Sequence, residues 1–496
     1  MSSSAFPALH KRNMGIALVE GVARYSYAAL DSRIEALARG LLGEKDDLDR
    51  ERVAVLMPAG RNYVTALHGI WRAGGIAVPL NVGATAPEIE YHFRKAGVTR
   101  VIASRQQLIV TDPLCRRLGI EVLEVNDLLG PGRQQQPLPA VERSRPAMIV
   151  FTSGTTSKPK GAVITHKAIH TQVTTLINAW RWTREDSIPL FLPLHHLHGI
   201  INVLSCALWC GATVHASPKL DVARLCEQAG SGAFSVFMAV PTVYVKLIEH
   251  IESLATLQRK AVCRGFGRMR LNVSGSAACP VGVFERWKQL TGQALLERYG
   301  ATETGMTISN PYDGERRAGF VGQVLPGVTA QLFDDNHRPV RNDATPGEIR
   351  IRSDGVFQGY WDDERANRAS FHDGWFRTGD VAVVEDGYYR ILGRSSIDII
   401  KSGGYKLSAL EIEGVLLDHE AIGEAAVIGL PDATWGEIVA AAVTLKDGAS
   451  LDLAGLKEWC AGRISGYKVP RRLKVMRDLP RNAMGKVVKT ALRDLL

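Results

Sequence analysis

The fold is organised around one polar loop, Phe151-Thr-Ser-Gly-Thr-Thr-Ser-Lys-Pro-Lys-Gly161. An apolar run, Met148 to Phe151, predicts a short buried strand before it, and a helical pattern begins near His166. Glycine lets backbone N–H groups approach a ligand closely, hydroxyls donate hydrogen bonds and lysines supply charge. The composition therefore predicts a phosphate-binding loop, called here the phosphate loop, with a polar surface loop as the alternative. It is not of the P-loop NTPase type, because Gly-x-x-x-x-Gly-Lys-Ser/Thr does not occur in the chain.

Composition places the chain among globular proteins with a large core. Its 496 residues, of which 46% are hydrophobic and 22% charged, favour roughly two to four domains. No apolar stretch of about 18 residues occurs, so no membrane span is expected. The N-terminal residues lack an apolar run behind a basic start and an Arg/Ser-rich leader pattern, which favours a cytoplasmic location. The cysteines are scattered without a Cys-x-x-Cys pair, which argues against a disulfide framework or a zinc site.

The charge balance favours anionic partners, since the formal net charge is +9 and the pI is about 9.2. The basic residues are dispersed, and no basic motif is interleaved with aromatic residues, so nucleic acid is not expected as a partner. Residues 463–496 are the exception, with ten Lys/Arg and two acids. This tail is either an anion-binding segment or a solvated face.

Strand and helix patterns alternate from Arg52 onward, which predicts βαβ units and a parallel sheet. The predicted strands are 53–57, 76–80, 98–103, 188–192, 212–215, 235–238 and 269–274. The predicted helices are 63–72, 87–95, 167–180, 200–209, 222–228, 241–251 and 281–290. A stretch rich in Gln, Pro and Gly, residues 126–146, predicts an exposed connection into the phosphate loop.

The pattern changes after Gly300, where short β segments with Gly and Pro turns predict a smaller β-rich subdomain. Gly393-Arg-Ser-Ser396 then predicts a hinge or linker. In the final part, the predicted strands are 424–429, 438–444 and 473–475, and the predicted helices are 408–416, 451–460 and 486–495. The predicted fold is therefore α/β, with a large N-terminal domain, 1–393, a hinge, 394–397, and a small α+β C-terminal domain, 398–496.

Four further motifs carry chemistry. Pro193-Leu-His-His-Leu-His-Gly199 is a pocket wall or a packing segment, since a metal site would need further ligands nearby. In Tyr299-Gly-Ala-Thr-Glu-Thr-Gly305, Glu303 between two threonines suits Mg²⁺ and a phosphate. Gly374-Trp-Phe-Arg-Thr-Gly-Asp380 ends a strand-like run in an acid that can take both hydroxyls of a ribose. Pro480-Arg-Asn-Ala-Met-Gly-Lys486 places a lysine on a glycine turn, where it can reach an anion.

Together, in this order and spacing, the motifs resemble those of the acyl-adenylate-forming superfamily, which includes acyl-CoA synthetases, peptide-synthetase adenylation domains and luciferases. The resemblance covers the whole chain. Within that group the chain is most similar to malonyl-CoA and methylmalonyl-CoA synthetases, including the animal mitochondrial type. The stretches that carry this likeness are Leu192-Pro-Leu-His-His-Leu-His-Gly199, Val236-Phe-Met-Ala-Val-Pro-Thr-Val-Tyr-Val-Lys246, Val273-Ser-Gly-Ser-Ala277, Leu296-Glu-Arg-Tyr-Gly300 and Asp398-Ile-Ile-Lys-Ser-Gly-Gly-Tyr-Lys-Leu-Ser408.

The resemblance implies a ligase that uses ATP, Mg²⁺ and coenzyme A and acts as a monomer or homodimer. A carboxylate, malonate or methylmalonate, first reacts with ATP to give an acyl-adenylate and pyrophosphate. The CoA thiolate then attacks the acyl carbon, and AMP leaves. The resemblance also implies that the C-terminal domain is mobile and rotates between the two steps, so that Lys486 leaves the site and Ser402-Gly-Gly404 faces the CoA channel.

The resemblance assigns roles to individual residues. The implied catalytic residues are Lys486, which contacts the carboxylate and α-phosphate, Thr302, the magnesium ligand Glu303, and His196, which gates the acyl pocket. The implied ATP-binding residues are Thr152, Ser153, Gly154, Thr155, Thr156, Lys160, Gly275, Ser276, Tyr299, Gly300, Thr302, Asp380 and Arg394. The implied substrate-binding residues are His196, His198, Lys246, Ser274, Met306 and Arg317. The implied CoA-binding residues are Ser402, Gly403, Gly404 and Arg471.

Two positions depart from the family's pattern. The hinge residue, which is Asp or Lys in much of the superfamily, is Ser396 here, so an acidic anchor is absent. Bacterial malonyl-CoA synthetases carry Arg at the position of Lys246, and lysine keeps the charge but loses the bidentate fork. With Thr242 four residues away, Lys246 is expected on one helical face, which the resemblance places against the acyl pocket. The alternatives are a surface lysine and a lysine whose stem lies in the pocket wall while its charge reaches solvent. Arg316 or Arg317 would supply a second charge there, with a solvated loop pair as the alternative.

Three other functions stay open at this point. One is a CoA ligase for a neutral short, branched or aromatic acid, and another is an adenylating enzyme that loads a carrier protein. The third is a nucleotide-binding regulator without turnover. Lys486 and Glu303 argue against the regulator, since both belong to the implied chemistry. The basic tail suits the phosphates of CoA, which disfavours the carrier protein.

Overall fold

The structure is a computed structural model that describes residues 6, 9, 14–130, 137–152, 158–395, 397–402, 405–481 and 487–496. Among these residues the strands form five sheets, four of them before residue 395 and one after residue 397. The predicted α/β class with parallel-rich sheets is confirmed. No helix in the described part of the chain is both long and apolar enough to cross a membrane.

The elements are numbered in chain order. The strands are β1 Ile16–Glu20, β2 Ala23–Ser26, β3 Arg52–Leu56, β4 Ile76–Pro79, β5 Arg100–Ala103, β6 Glu121–Leu123, β7 Pro146–Thr152, β8 Lys160–Thr165, β9 Ser187–Leu190, β10 Thr213–Ala216, β11 Val236–Ala239, β12 Leu271–Ser274, β13 Leu296–Ala301, β14 Gly305–Ser309, β15 Gln323–Val324, β16 Thr329–Phe333, β17 Gly347–Arg352, β18 Gly359–Tyr360, β19 Phe371–His372, β20 Trp375–Glu385, β21 Tyr388–Arg394, β22 Ile399–Ser402, β23 Tyr405–Ser408, β24 Ile422–Asp432, β25 Gly436–Leu445 and β26 Arg472–Met476. The helices are α1 Tyr27–Leu42, α2 Arg61–Arg72, α3 Ala86–Ala96, α4 Arg105–Leu118, α5 His166–Trp180, α6 Cys206–Cys210, α7 Val222–Gly230, α8 Pro241–Ser253, α9 Thr256–Arg268, α10 Val281–Thr291, α11 Glu364–Ser370, α12 Ala409–Leu417, α13 Leu453–Cys460 and α14 Lys489–Leu492.

The largest sheet carries the phosphate loop. Its order is β18-β8-β7-β4-β3-β5-β6, and β3, β4, β5, β6 and β7 run parallel because helical connections separate most of them. The phosphate loop joins β7 to β8, which pair antiparallel. The helix begins at His166 as predicted, but β8 lies between it and the loop and was not predicted. Residues 160–165 form a strand because their apolar side chains are buried and their backbone pairs with β7.

A second sheet, of order β11-β12-β13-β14-β15, brings two sequence motifs to one edge. It is parallel from β11 to β13 and antiparallel beyond. Strand β13 extends to Ala301, because its last residues pair with β14 across the tight turn that contains Glu303. The carboxyl ends of β12 and β13 therefore lie side by side, which is where ligands bind in α/β sheets.

The apolar segment predicted as one helix over 200–209 is wound differently. Residues His198–Ser205 form a π-helical segment, and α6 follows it. The hydroxyl of Ser205 donates to the carbonyl of Ile200, five residues earlier, at 2.7 Å, which matches the wider turn. Such segments are rare inside helices and are frequent at functional sites. This segment begins at His198, which the resemblance assigns to substrate binding.

A third sheet, of order β2-β1-β10-β9, includes the first two strands of the chain, and a fourth forms the predicted β-rich subdomain. The fourth sheet has the order β16-β17-β20-β19, with β21 beside β20, and its strands pair antiparallel. Asp380 was expected at the end of a strand-like run, but β20 continues to Glu385. The strand extends because its second half pairs with β21.

The fifth sheet consists of residues that follow the predicted hinge. Its order is β23-β22-β25-β24, with β26 parallel to β25. The helix predicted over 486–495 is confined, in the described residues, to Lys489–Leu492. It starts late because Val488 donates its N–H to the carbonyl of Pro480 at 2.7 Å and Val487 forms a β-bridge with Arg481.

Candidate active site

The two ends of the phosphate loop are fixed by contacts at the start of β8. The hydroxyl of Thr152 donates to the carbonyl of Lys160 at 3.4 Å, and the hydroxyl of Tyr91 on α3 donates to the carbonyl of Pro159 at 2.7 Å. Four residues predicted to bind phosphate lie outside the described residues, namely Ser153, Gly154, Thr155 and Thr156. The described end of the loop at Lys160 leads into β8, which pairs with β18.

The predicted metal ligand lies next to the phosphate loop. Glu303 follows Thr302 in the turn between β13 and β14, and its Oε1 accepts a hydrogen bond of 2.8 Å from the hydroxyl of Tyr360 on β18. The Nζ of Lys160 lies 5.0 Å from the centroid of the Tyr360 ring. The structure therefore brings the loop lysine and the carboxylate together around one tyrosine.

A single carboxylate suits Mg²⁺ that is held mainly by the phosphates of its nucleotide. Among the described residues, no group of three or more His, Cys, Asp and Glu side chains could hold a metal ion by itself. Mg²⁺ usually keeps several waters and binds through one or two carboxylates plus substrate phosphates. Tyr360 holds Oε1 of Glu303, which leaves Oε2 for a metal. The residues present therefore fit a magnesium–nucleotide complex.

Asp380 is buried and contacts two residues, Tyr299 and the exposed Arg394. The hydroxyl of Tyr299 donates to Oδ2 of Asp380 at 2.5 Å, and Nε of Arg394 lies 3.1 Å from Oδ1. Burial raises the pKa of Asp380, although Arg394 and Tyr299 act in the opposite direction. The predicted ribose-binding acid is thus beside two residues predicted to bind ATP.

Strand β13 presents neighbouring side chains to opposite faces. Tyr299 reaches Asp380, whereas Arg298 reaches Ser276, with its Nη2 3.3 Å from the serine Oγ. Arg298 is 3% exposed, and its Nε has no hydrogen-bond partner in the described part of the chain. Burial lowers the pKa of Arg298 to about 10, which leaves the guanidinium charged at neutral pH. No described carboxylate forms an ion pair with it, so this is a buried cation without an anion.

The glycine after β12 makes room for this arginine. A Cβ at Gly275 would lie 2.5 Å from Nε of Arg298, so the guanidinium packs directly on the backbone. Gly300 is equally constrained, since its Cβ would lie 2.1 Å from the carbonyl oxygen of Gly305. Both predicted ATP-site glycines are therefore required by close approach of neighbouring groups.

His198 faces the same serine as Arg298. Its Nδ1 lies 3.2 Å from Oγ of Ser276, and its Nε2 is buried with no partner among the described residues. The pKa of His198 lies well below its ordinary value, first because of burial and then because of the charges of Arg298 and His196. The imidazole is therefore neutral at neutral pH. Among the described residues, the cation Arg298 and the neutral His198 both contact Ser276.

Two more predicted substrate residues line this region. The hydroxyl of Ser274, at the end of β12, is buried and has no partner in the described part of the chain. Met306 on β14 is buried, and its N–H donates to Oε1 of Gln172 at 2.7 Å. The gate candidate His196 is half-buried, and its ring centroid lies 4.1 Å from that of His195, whose pKa is lowered to about 3, mainly by burial.

Lys246 is not buried as the sequence predicted, and Arg317 is paired with two acids. Lys246 and Thr242 share a face of α8, but both are exposed, because the buried face of this helix consists of its apolar residues. The expected burial of Lys246 is therefore wrong. Arg317 lies 2.9 Å from Oε2 of Glu315 and 3.3 Å from Oδ2 of Asp386. These two acids therefore pair with the guanidinium of Arg317.

The predicted CoA side carries exposed aromatic residues. Ser402 pairs with Tyr405 on β23 and with Gly436 on β25. Trp435, next to Gly436, is 41% exposed, and the guanidinium carbon of Arg471 lies 4.2 Å from its ring centroid. Four predicted residues lie outside the described residues, namely Gly403, Gly404, the hinge residue Ser396 and the catalytic candidate Lys486.

Sequence reasoning missed Arg298 and Tyr360. Arg298 lies inside Leu296-Glu-Arg-Tyr-Gly300. The adjacent charged residues Glu297 and Arg298 in an otherwise buried strand were the signal that could have identified it, because buried charges need a partner. Tyr360 gave no such signal, because its contacts with Lys160 and Glu303 come from distant parts of the chain.

Comparison with known proteins agrees with this geometry. The family model described as AMP-binding enzyme matches residues 8–361, and the model of the AMP-binding enzyme C-terminal domain matches residues 411–486. The chain is 42% identical to the malonate–CoA ligase ACSF3, mitochondrial, of Mus musculus, over 96% of this chain and 88% of the relative.

Two solved structures are similar over nearly the whole chain. The ATP-bound MatB from Rhodopseudomonas palustris has a TM-score of 0.91 at 30% identity and covers 100% of this chain and 99% of its own. A malonyl-CoA ligase in a ternary product complex with methylmalonyl-CoA and AMP has a TM-score of 0.70 at 34% identity, over 96% of this chain and 100% of its own. The matched models span most of the sequence and include the described site, and the chain belongs to the family of AMP-binding enzymes.

Proposed function

We propose that this protein is an ATP-dependent malonate–CoA ligase, an acid–thiol ligase that also accepts methylmalonate. The observation that carries the choice of acid is the buried guanidinium of Arg298, which forms no ion pair with any carboxylate of the described residues. A buried charge is costly unless it is paired. A dicarboxylic acid supplies the missing charge through its distal carboxylate, whereas a neutral acid leaves Arg298 unpaired. The names of the mouse relative and of the ternary complex support the same acid.

In the first step, a carboxylate oxygen attacks the α-phosphorus of ATP, and pyrophosphate leaves. Such displacements depend on positioning and charge neutralisation more than on covalent help from the protein. Asp380 would hold the ribose, and the phosphate loop with Lys160 would hold the β- and γ-phosphates. Glu303 would hold Mg²⁺, which supplies positive charge to the phosphate oxygens when bound. Lys486 would contact the carboxylate and the α-phosphate.

In the second step, the CoA thiolate attacks the acyl carbon of the adenylate, which releases AMP and leaves the thioester. For this step we propose domain rotation about 394–397, with 1–393 and 398–496 as the moving parts. The TM-score supports it, since it is 0.91 to an ATP-bound relative but 0.70 to a product complex that is more similar in sequence. His196 would then connect the acyl pocket to the CoA channel.

An acid panel tests the proposed function. Malonate, methylmalonate, succinate, butyrate and benzoate are each supplied with ATP and CoA, and AMP release is measured. We expect kcat/KM for malonate or methylmalonate to exceed that for butyrate by about tenfold or more, which corresponds to a charge-assisted hydrogen bond. A preference for butyrate or benzoate would overturn the assignment of the acid. Release of AMP with a carrier protein but not with CoA would overturn the assignment of the thiol.

The basic tail is proposed to contact the phosphates of CoA, chiefly through Arg471 and its exposed neighbour Arg472. Charge reversal at both positions should raise the KM for CoA about tenfold, the loss of a charged hydrogen bond, and leave pyrophosphate exchange unchanged. Three other basic residues of the tail are poorer candidates, since they form ion pairs with acids of the same domain, namely Lys468, Arg481 and Lys489.

Arg477→Glu is the matched control for this prediction. Arg477 belongs to the same tail and its side chain is 99% exposed, but it is not beside Trp435 or the predicted CoA turn. The KM for CoA should therefore stay within about twofold in the control. Equal changes of the KM for CoA in the double variant and in the control would mean that the tail acts through its overall charge. An unchanged KM in the double variant would mean that the tail is a solvated face.

The cytoplasmic location predicted from the sequence is kept as part of the proposal. The name of the mouse relative places that protein in mitochondria. Fractionation of source cells, with the chain followed by an antibody, decides between the two compartments. Recovery with a mitochondrial marker would overturn the cytoplasmic location and leave the chemistry unaffected.

A further inference from the structure

We propose that Tyr360 is a positioning residue that ties the phosphate loop to the magnesium-binding carboxylate. The inference rests on the proposed function, because it concerns how the same site binds its metal–nucleotide complex. Tyr360 makes two contacts with different chemistry. Its hydroxyl donates to Oε1 of Glu303 at 2.8 Å, and its ring lies under the ammonium of Lys160, 5.0 Å from the centroid.

The backbone of Tyr360 is fixed by hydrogen bonds to its neighbours, and this positions the ring. Its N–H donates to Oδ1 of Asn367 at 2.6 Å, and its carbonyl accepts from Nδ2 of the same side chain at 3.0 Å. Tyr360 pairs with Ala162 on β8, two residues after Lys160. The N–H of Phe357 donates to the carbonyl of Glu303 at 2.7 Å. The segment 357–360 is therefore bonded to both the loop strand and the carboxylate's turn.

The hydroxyl of Tyr360 fixes which oxygen of Glu303 faces a metal. The phenol donates its hydrogen bond to Oε1 at 2.8 Å, so Oε2 is the carboxylate oxygen left to face a metal. Partners of this kind orient a ligating carboxylate, and their loss typically costs about 10- to 100-fold in metal affinity or activity. The ring contributes separately, because a cation over an aromatic face is attracted by the ring's quadrupole.

The experiment separates these two contributions by measuring nucleotide binding rather than turnover. Calorimetry gives the dissociation constant of the β,γ-imido analogue of ATP with saturating Mg²⁺ and with EDTA, and their ratio measures the coupling between metal and nucleotide. Tyr360→Phe keeps the ring and removes the hydroxyl. We expect it to reduce the coupling ratio about tenfold or more and to leave metal-free binding unchanged. Tyr360→Leu should weaken metal-free binding as well, because Lys160 loses the ring.

Tyr388→Phe is the matched control, since Tyr388 also donates its hydroxyl, here to the backbone carbonyl of Glu315, and also has a cation, Arg317, over its ring. It should leave both constants unchanged. An unchanged coupling ratio in Tyr360→Phe would overturn the proposal, as would an equal loss with and without Mg²⁺. Neither result depends on which acid the enzyme uses. The acid panel can therefore fail while this proposal stands, and this proposal can fail while the acid panel gives the expected result.

Discussion

Replacement of Lys486 by alanine is expected to lower the rate of adenylation by about 100- to 1,000-fold, the usual cost of losing one preorganised charge at a developing negative centre. Thioester formation from a preformed acyl-adenylate should stay near the wild-type rate, because the resemblance places this lysine away from the site in the second step. Pyrophosphate exchange measures the first step, and release of AMP from synthetic malonyl-adenylate plus CoA measures the second.

The control for this prediction is Lys474→Ala, because Lys474 is another basic residue of the tail. Its Nζ donates to the carbonyl of Leu495 at 2.7 Å, and it makes no described contact with Asp380, Tyr299 or Arg394. Both half-reactions should survive in that variant. If Lys486→Ala lowers both half-reactions to the same extent while the protein stays folded, the assignment of Lys486 to one step is wrong.

Local signals in the chain were sufficient for most of the fold. The buried strand β3 and the helix α2 were predicted within two residues of their ends, because an apolar run and an apolar helical face are both local patterns. Strand β8 was missed, since its strand character depends on pairing with β7 across the phosphate loop. The π-helical winding of His198–Ser205 was missed for the same kind of reason, as a wide turn has no distinct apolar period.

Some residues of the candidate site could be predicted from the sequence, and others could be found only from the packing. Motif spacing identified Glu303 and Asp380, which the structure places beside the phosphate loop and beside Tyr299. Periodicity put Lys246 on the same helical face as Thr242, but spacing does not say which face of a helix is covered, and this one is exposed. Arg298 became visible only when the neighbours of β13 were known, because its burial and its lack of an anion are properties of the packing.

Arg298 is expected to decide whether the enzyme prefers a dicarboxylic acid. Truncating one partner of a buried, hydrogen-bonded charge pair costs about 2–5 kcal/mol, so Arg298→Met should lower kcat/KM for malonate by about 30-fold to several thousandfold. Butyrate carries no distal charge and fits the apolar side chain, so its kcat/KM should stay level or rise. Arg298→Lys should fall between wild type and Arg298→Met for malonate, because lysine keeps the charge but loses the fork that reaches two oxygens.

The free protein provides an independent readout of the same residue. Without substrate, Arg298 is a buried cation with no described carboxylate beside it. Its replacement by methionine should therefore raise the thermal midpoint, since it removes a buried charge that lacks a partner. A variant that loses malonate activity because it is misfolded would show the opposite shift. Excess malonate should raise the midpoint of the wild type and leave that of Arg298→Met unchanged.

Lys246→Met completes the comparison, because Lys246 is the exposed cation that the family pattern places at the pocket. With Arg298 as the carboxylate-binding residue, Lys246→Met should change kcat/KM for malonate and for butyrate by similar, small factors. Lys246→Met could instead lose much of its kcat/KM for malonate alone, while Arg298→Met is unaffected. That result would assign the binding of the distal carboxylate to Lys246 and imply that α8 turns inward when substrate binds. Equal losses on both acids in Arg298→Met would mean that Arg298 supports the fold of the pocket rather than binding the distal carboxylate, and the preference for malonate would then need another cation.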